Sequence, residues 1–291
     1  MNKERTIERV ITAHKQLEGG GFEVRRPLPT AGVEHIDPFL LLDELGPVEY
    51  GPGEAIGAPD HPHRGFETVT YILEGAVEHE DSAGHRGRIG PGDVQWMTAG
   101  AGIVHSEEPS PDVRDKGGRA HGFQIWVNLP AKLKMTKPRY QEVQAAAIPR
   151  AQTPDGRARG VIIAGEALGV RAVIDTITPI VYQDWTLDPD ADVSIEIAPD
   201  HRAMVYAFEG AVEIGGRKVR DGELAVLGDG DAVRLRASQL GRVLVLAGVP
   251  HREPVARYGP FVMNTHDELV QAVRDFQSGR MGEITRTAQV G

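Results

Sequence analysis

Apolar residues in this chain fall in short runs of β-branched, aromatic and aliphatic side chains, at 66–73, 93–97, 122–128, 161–164, 204–208 and 242–246. Each run is about the length of a strand. Gly and Pro, 35 and 20 residues in all, recur between the runs as punctuation. That is the pattern of many strands joined by tight turns, so the chain is expected to be all-β. A helical period stands out near the end. There Leu269, Val273 and Phe276 share a face, and Thr265 precedes Glu268 at the spacing of a capping box. A short C-terminal amphipathic helix is predicted, with its apolar stripe packed against the β structure.

The strand pattern repeats. YILEGAVEHE, beginning at Tyr71, returns as YAFEGAVEIG at Tyr206, an offset of 206 − 71 = 135 residues. IGPGDVQWM around Asp93 is answered by VRDGELAVL around Glu223, again a glycine turn, an acidic residue and a strand. Order and spacing predict a duplicated unit, two similar antiparallel β-barrels. A chain of 291 residues is long enough for each to bury its own core. The stretch 130–160, rich in Lys, Arg, Pro and Gln, reads as the crossing. The expected domains are 1–140 and 141–291.

Composition narrows the function. Hydrophobic residues make up 40% and charged residues 25%, as in an ordinary globular protein. The formal net charge of −10, with no basic run, argues against direct contact with nucleic acid. The N-terminal segment lacks the apolar core of a secretory signal, and no apolar run approaches the ~20 residues of a spanning helix. A protein of the cytoplasm, off the membrane, is expected. The absence of cysteine excludes disulfides, thiolate sites and cysteine nucleophiles, so any bound metal must sit on nitrogen and oxygen.

Eight of the eleven histidines lie in the first 121 residues, two of them in His61-Pro62-His63. Side chains alternate faces along a strand, so His61 and His63 point the same way, as do His105 and Glu107 in IVHSEE. If the two segments lie side by side inside a barrel, three imidazoles and one carboxylate can converge on one cation. Strand parity carried on from His63 also places Glu67 on the metal-facing side. His79 and His121, with no same-face ligand partner nearby in sequence, are read as structural or surface histidines. The corresponding segment of the second repeat has no H-x-H pair, so the C-terminal unit is expected to hold no metal.

The succession HPH-x-x-x-E, PGD and TAG-x-GI-x-H resembles the two metal motifs of the cupin superfamily. More narrowly, DPFLLLDEL, HPHRGFETVTYILEG, PGDVQWMTAGAGIVHSE, FQIWVNLP and REPVARYGPFVMNT are similar to pirin sequences over nearly the whole chain. The entry to the first motif departs from many cupins, with Ala55 where a glycine is common and Gly57 the nearest glycine. The resemblance implies a bicupin whose N-terminal barrel binds one metal, iron(II), through positions matching His61, His63, His105 and Glu107. It implies cleavage of flavonols such as quercetin by dioxygen. Glu107 or Glu67 would serve as proton acceptor, Glu67 also as a carboxylate orienting a ligand histidine, and Phe66, Trp96, Met97 and Trp126 would form apolar walls. The alternative is an iron-dependent, redox-sensing regulatory protein that binds a protein partner, a transcription component or an enzyme, without turnover.

Overall fold

The computed structural model describes residues 3–286, and strands dominate it. Each predicted run is a strand, most of them longer than their apolar core: Phe66–Glu74, Val94–Thr98, Gly118–Asn128, Ala158–Ala164, Arg202–Ile214 and Gly241–Gly248. Among the described residues no helix is long and apolar enough to cross a membrane.

The chain divides into two compact units that interleave in sequence. One comprises Lys15–Val24, Leu41–Ala145 and Arg252–Gly291, the other Met1–His14, Arg25–Leu40 and Ala146–His251. The chain passes from one unit to the other after Ala145, and it also changes unit near both ends. Strand Ile7–Thr12 pairs antiparallel with Glu223–Leu227 and so joins the second half of the chain. A boundary drawn from the repeat alone could not show this exchange, because these terminal strands lie outside the repeated motif.

The first of these units, hereafter the histidine unit, contains a four-stranded sheet in the order Ala58–His63, Ile103–Pro109, Val77–Asp81, Arg86–Ile89. It faces a seven-stranded sheet running Arg139–Val143, Val94–Thr98, Phe66–Glu74, Gly118–Asn128, Phe39–Tyr50, Phe22–Leu28, His14–Glu18. The other unit is built on a ten-stranded sheet whose central strands are Arg202–Ile214 and Gly241–Gly248. Its interior is a continuous apolar cluster that includes Val193, Ile195, Val205, Val233, Leu235 and Val245. The expected closed barrels are thus corrected to β-sandwiches. Each sheet is an open path with edges, and the core lies between packed faces.

The repeated EGAVE motif marks a change of sheet. At Gly210 a long strand stops pairing with Gly241–Gly248 and turns to Arg217–Arg220. Its φ of +65° and the 2.0 Å that would separate an added Cβ from Leu240 O explain why glycine stands there. Gly75, at φ +81°, makes the corresponding turn in the histidine unit.

The C-terminal helix, His266–Gln277, begins with the predicted capping box, Thr265 and Glu268 each bonding the other's backbone. Leu269 and Ala272 pack with Val104, Phe261, Met263 and Met281. The predicted stripe is displaced at its end, however. Phe276 is 39% exposed, and Asp275 turns inward beside it to pair with Arg64.

Candidate metal centre

Two adjacent antiparallel strands bring the histidines together. His105 lies directly opposite His61 in the register, and His63 follows on the same face. Ring centroids are 4.3 Å apart for His61 and His105, 4.7 Å for His61 and His63, and 4.9 Å for His63 and His105. One ligand nitrogen from each lies within 4.8 Å of the others, and among the described residues these three alone form such a group.

The nitrogens are prepared to accept a cation. His61 Nδ1 lies 2.7 Å from Pro59 O, and since a carbonyl only accepts, Nδ1 is the donor there and Nε2 is the nitrogen left to face the other two rings. His63 and His105 are buried, and neither ring nitrogen of either has a hydrogen-bond partner. Burial, followed by the nearby imidazoles, pushes the pKa of each well below the usual value. Neutral rings with orphaned nitrogens are costly in an apolar interior unless something occupies them. Three imidazoles around one point fit a divalent transition metal.

Glu107 stands two residues beyond His105 on the same strand, past an irregularity in the pairing with Ala58–His63. Its carboxylate accepts hydrogen bonds from Thr70 Oγ1 at 2.9 Å and Gln124 Nε2 at 3.0 Å, both on the facing sheet. Gln124 Oε1 in turn accepts from Trp126 Nε1 at 3.3 Å. Of the predicted walls, Phe66 and Trp126 meet His63, with centroids 5.1 and 5.2 Å away. Met97 lies opposite Thr68 on that same face, whereas Trp96 lies opposite Val69 and points away.

Glu67 is not where unbroken strand parity would put it. Arg64-Gly65 separates the strand of His63 from the next, with Gly65 at φ +90°, and the alternation restarts at Phe66. Phe66, Thr68 and Thr70 take the side that faces the three histidines. Glu67 is fully buried on the other face and accepts a 2.6 Å hydrogen bond from Thr98 Oγ1.

His79, read from sequence as structural or surface, is buried on the face that carries His105 and Glu107. It lies opposite Glu107 in the register, and its Nε2 donates to Glu142 Oε1 at 2.6 Å. Glu142 also accepts from Gln95 Nε2 at 3.1 Å. His121 is buried and bonds Glu44 Oε1 at 2.9 Å.

The duplication supplies an internal control for this lining. In the histidine unit Thr70 lies opposite Gln124 and Gln95; in the other unit Val205 lies opposite Val245 and Ala225. Thr68, Trp126 and Met97 correspond in the same way to Ala203, Ala247 and Leu227. His61 faces His105 where Ile195 faces Val233, and continuing that register sets His63 against Ile197 and Glu107 against Leu235. All of the counterparts belong to the apolar core and offer no donor atom. The fold itself therefore does not require polar residues at these places. Sequence reading missed Thr70, Gln95 and Gln124. For the first two the signal lay in the aligned repeats, TVTYILEGAVE against AMVYAFEGAVE and DVQWM against ELAVL.

Comparison with known proteins agrees with this architecture. Family models described as Pirin and Pirin C-terminal cupin domain match residues 21–127 and 182–282. Pirin from Homo sapiens is 42% identical over 97% of this chain and 96% of its own. A pirin-like protein from Solanum lycopersicum is 42% identical over 97% and 94%. The crystal structure of quercetin 2,3-dioxygenase from Acinetobacter baumannii matches with a TM-score of 0.91 at 37% identity, covering 97% of this chain and 100% of that one.

Proposed function

The chain belongs to the pirin family, and from that premise we propose that it is a cytoplasmic dioxygenase cleaving flavonols of the quercetin type at one iron(II) ion. His61, His63, His105 and Glu107 would hold the ion. The observation that carries the reading is the group of three convergent imidazoles, two with buried, orphaned nitrogens. The similarity to a quercetin 2,3-dioxygenase supports the choice of substrate.

Such an ion, when bound, supplies Lewis-acid activation of a chelating hydroxyl and keto pair and a redox centre for dioxygen. The chain supplies the rest. Three imidazoles and one carboxylate would hold the ion and leave it able to take further oxygen ligands. Phe66 and Trp126 pack against His63 and keep that side of the site dry. Glu107, two residues beyond His105 on the same strand, would take the flavonol hydroxyl proton. The reaction consumes one dioxygen and releases carbon monoxide, leaving a depside.

The test is loss of flavonol absorbance by iron-loaded protein of verified occupancy. The reading predicts loss in air with release of carbon monoxide, and none without oxygen. Quercetin left untouched in air overturns it and favours the regulatory alternative, a metal-bearing protein that acts through a partner.

A further inference from the structure

The carboxylate of Glu107 is gripped from the opposite sheet. Thr70 Oγ1 addresses one oxygen and Gln124 Nε2 the other, so the plane of the carboxylate is fixed at two points. The donor order is itself determined. Trp126 Nε1–H can only donate, so it takes Gln124 Oε1 and leaves the amide N–H for Glu107. Each carboxylate oxygen still has a further lone pair. A glutamate side chain left to itself must lose considerable rotamer freedom to serve as a ligand, and this grip removes that freedom in advance. The corresponding residues of the other unit, where no ligand stands, are Val205 and Val245, and the place of Glu107 is taken by Leu235. Cradle and carboxylate are thus present together in one unit and absent together in the other.

We infer that Thr70 and Gln124, with Trp126 behind Gln124, are positioning residues that set Glu107 as the fourth ligand of the metal centre. This rests on the reading that Glu107 is a ligand. Neither residue touches the metal, and each acts through the carboxylate alone. Their effect must therefore disappear when the carboxylate does.

The experiment is a double-mutant cycle on the full chain, read by competition for cobalt(II) with a chromophoric chelator and by the visible spectrum of the bound cobalt. Thr70→Val and Gln124→Val are suitable variants, because the other unit carries valine at both corresponding positions of the same fold. Each is expected to weaken cobalt binding by about 10- to 100-fold. Thr70→Ser, which keeps the hydroxyl, is expected to restore it. In a Glu107→Ala background the same changes are expected to add nothing, and the melting temperature of the metal-free protein is expected to stay near that of the parent.

Two results overturn the inference alone: cobalt affinity that falls on Glu107→Ala but not on Thr70→Val or Gln124→Val, or an equal fall in both backgrounds. Affinity and spectrum unchanged by Glu107→Ala overturn both the inference and the assignment of Glu107 as a ligand.

Discussion

Arg64 and Asp275 form a largely buried ion pair, Nη1 to Oδ2 at 2.8 Å, joining the residue after His63 to the C-terminal helix. Arg64 Nε also donates to Ala101 O at 2.6 Å, and Asp275 accepts from Gln271 and Arg280. Burial alone would raise the Asp275 carboxyl, but the hydrogen bonds from Arg64, Arg280 and Gln271 outweigh it and hold the group at about 2. The helix thereby braces the segment that carries two of the three histidines.

A pH dependence follows from this pair. The Asp275 carboxyl titrates near 3.8 when unfolded and at about 2 when folded. Its contribution to stability is therefore complete above about pH 4 and is lost as pH falls toward 2. Acid unfolding of the metal-free protein should show this slope, and Asp275→Asn should lack it. At neutral pH the variant leaves Arg64 without its counter-charge and should cost about 3 kcal/mol. Equal acid slopes for the two proteins would contradict the assignment.

Gly65 sets the direction of His63. An added Cβ would lie 2.0 Å from Val262 O at a φ of +90°. Gly65→Ala should cost about 1–3 kcal/mol from backbone strain alone, and more from the collision. It should lower metal content with stability, because the bend that separates His63 from Phe66 must move. Chemical denaturation and metal analysis on the same preparation check both effects.

Glu107→Gln separates chemistry from binding. The amide oxygen remains a weak ligand but cannot accept a proton as the carboxylate does, so turnover of quercetin should fall more than iron content. His61→Ala, His63→Ala and His105→Ala should lower both together. A Glu107→Gln protein that turns over at the parental rate with iron retained would remove Glu107 from the proton-transfer role.

Much of this architecture was legible in the sequence because it rests on local patterns. Strand-length runs, the EGAVE repeat and the Thr265 capping box each declare themselves within ten or so residues. His61, His63 and His105 were legible for the same reason, two same-face positions and a third placed by the following motif. Glu67 was misread because a single glycine between two strands resets the alternation, and parity counted through it fails. Closure into barrels was misread because a strand's own residues do not say whether its sheet ends at an edge. His79 was read only as a structural or surface histidine and Gln124 was passed over, because their partners lie on other strands, Glu142 for the first and Glu107 for the second.

The most direct test of the central claim is the metal content per chain of the purified protein beside that of a joint His61→Ala and His105→Ala variant. The expected result is one equivalent for the parent and none for the variant. His251→Ala is expected to leave the content at one, since that residue lies in the other unit and bonds Thr178. Two equivalents per chain, or full retention by the double variant, would contradict a single centre built on these histidines.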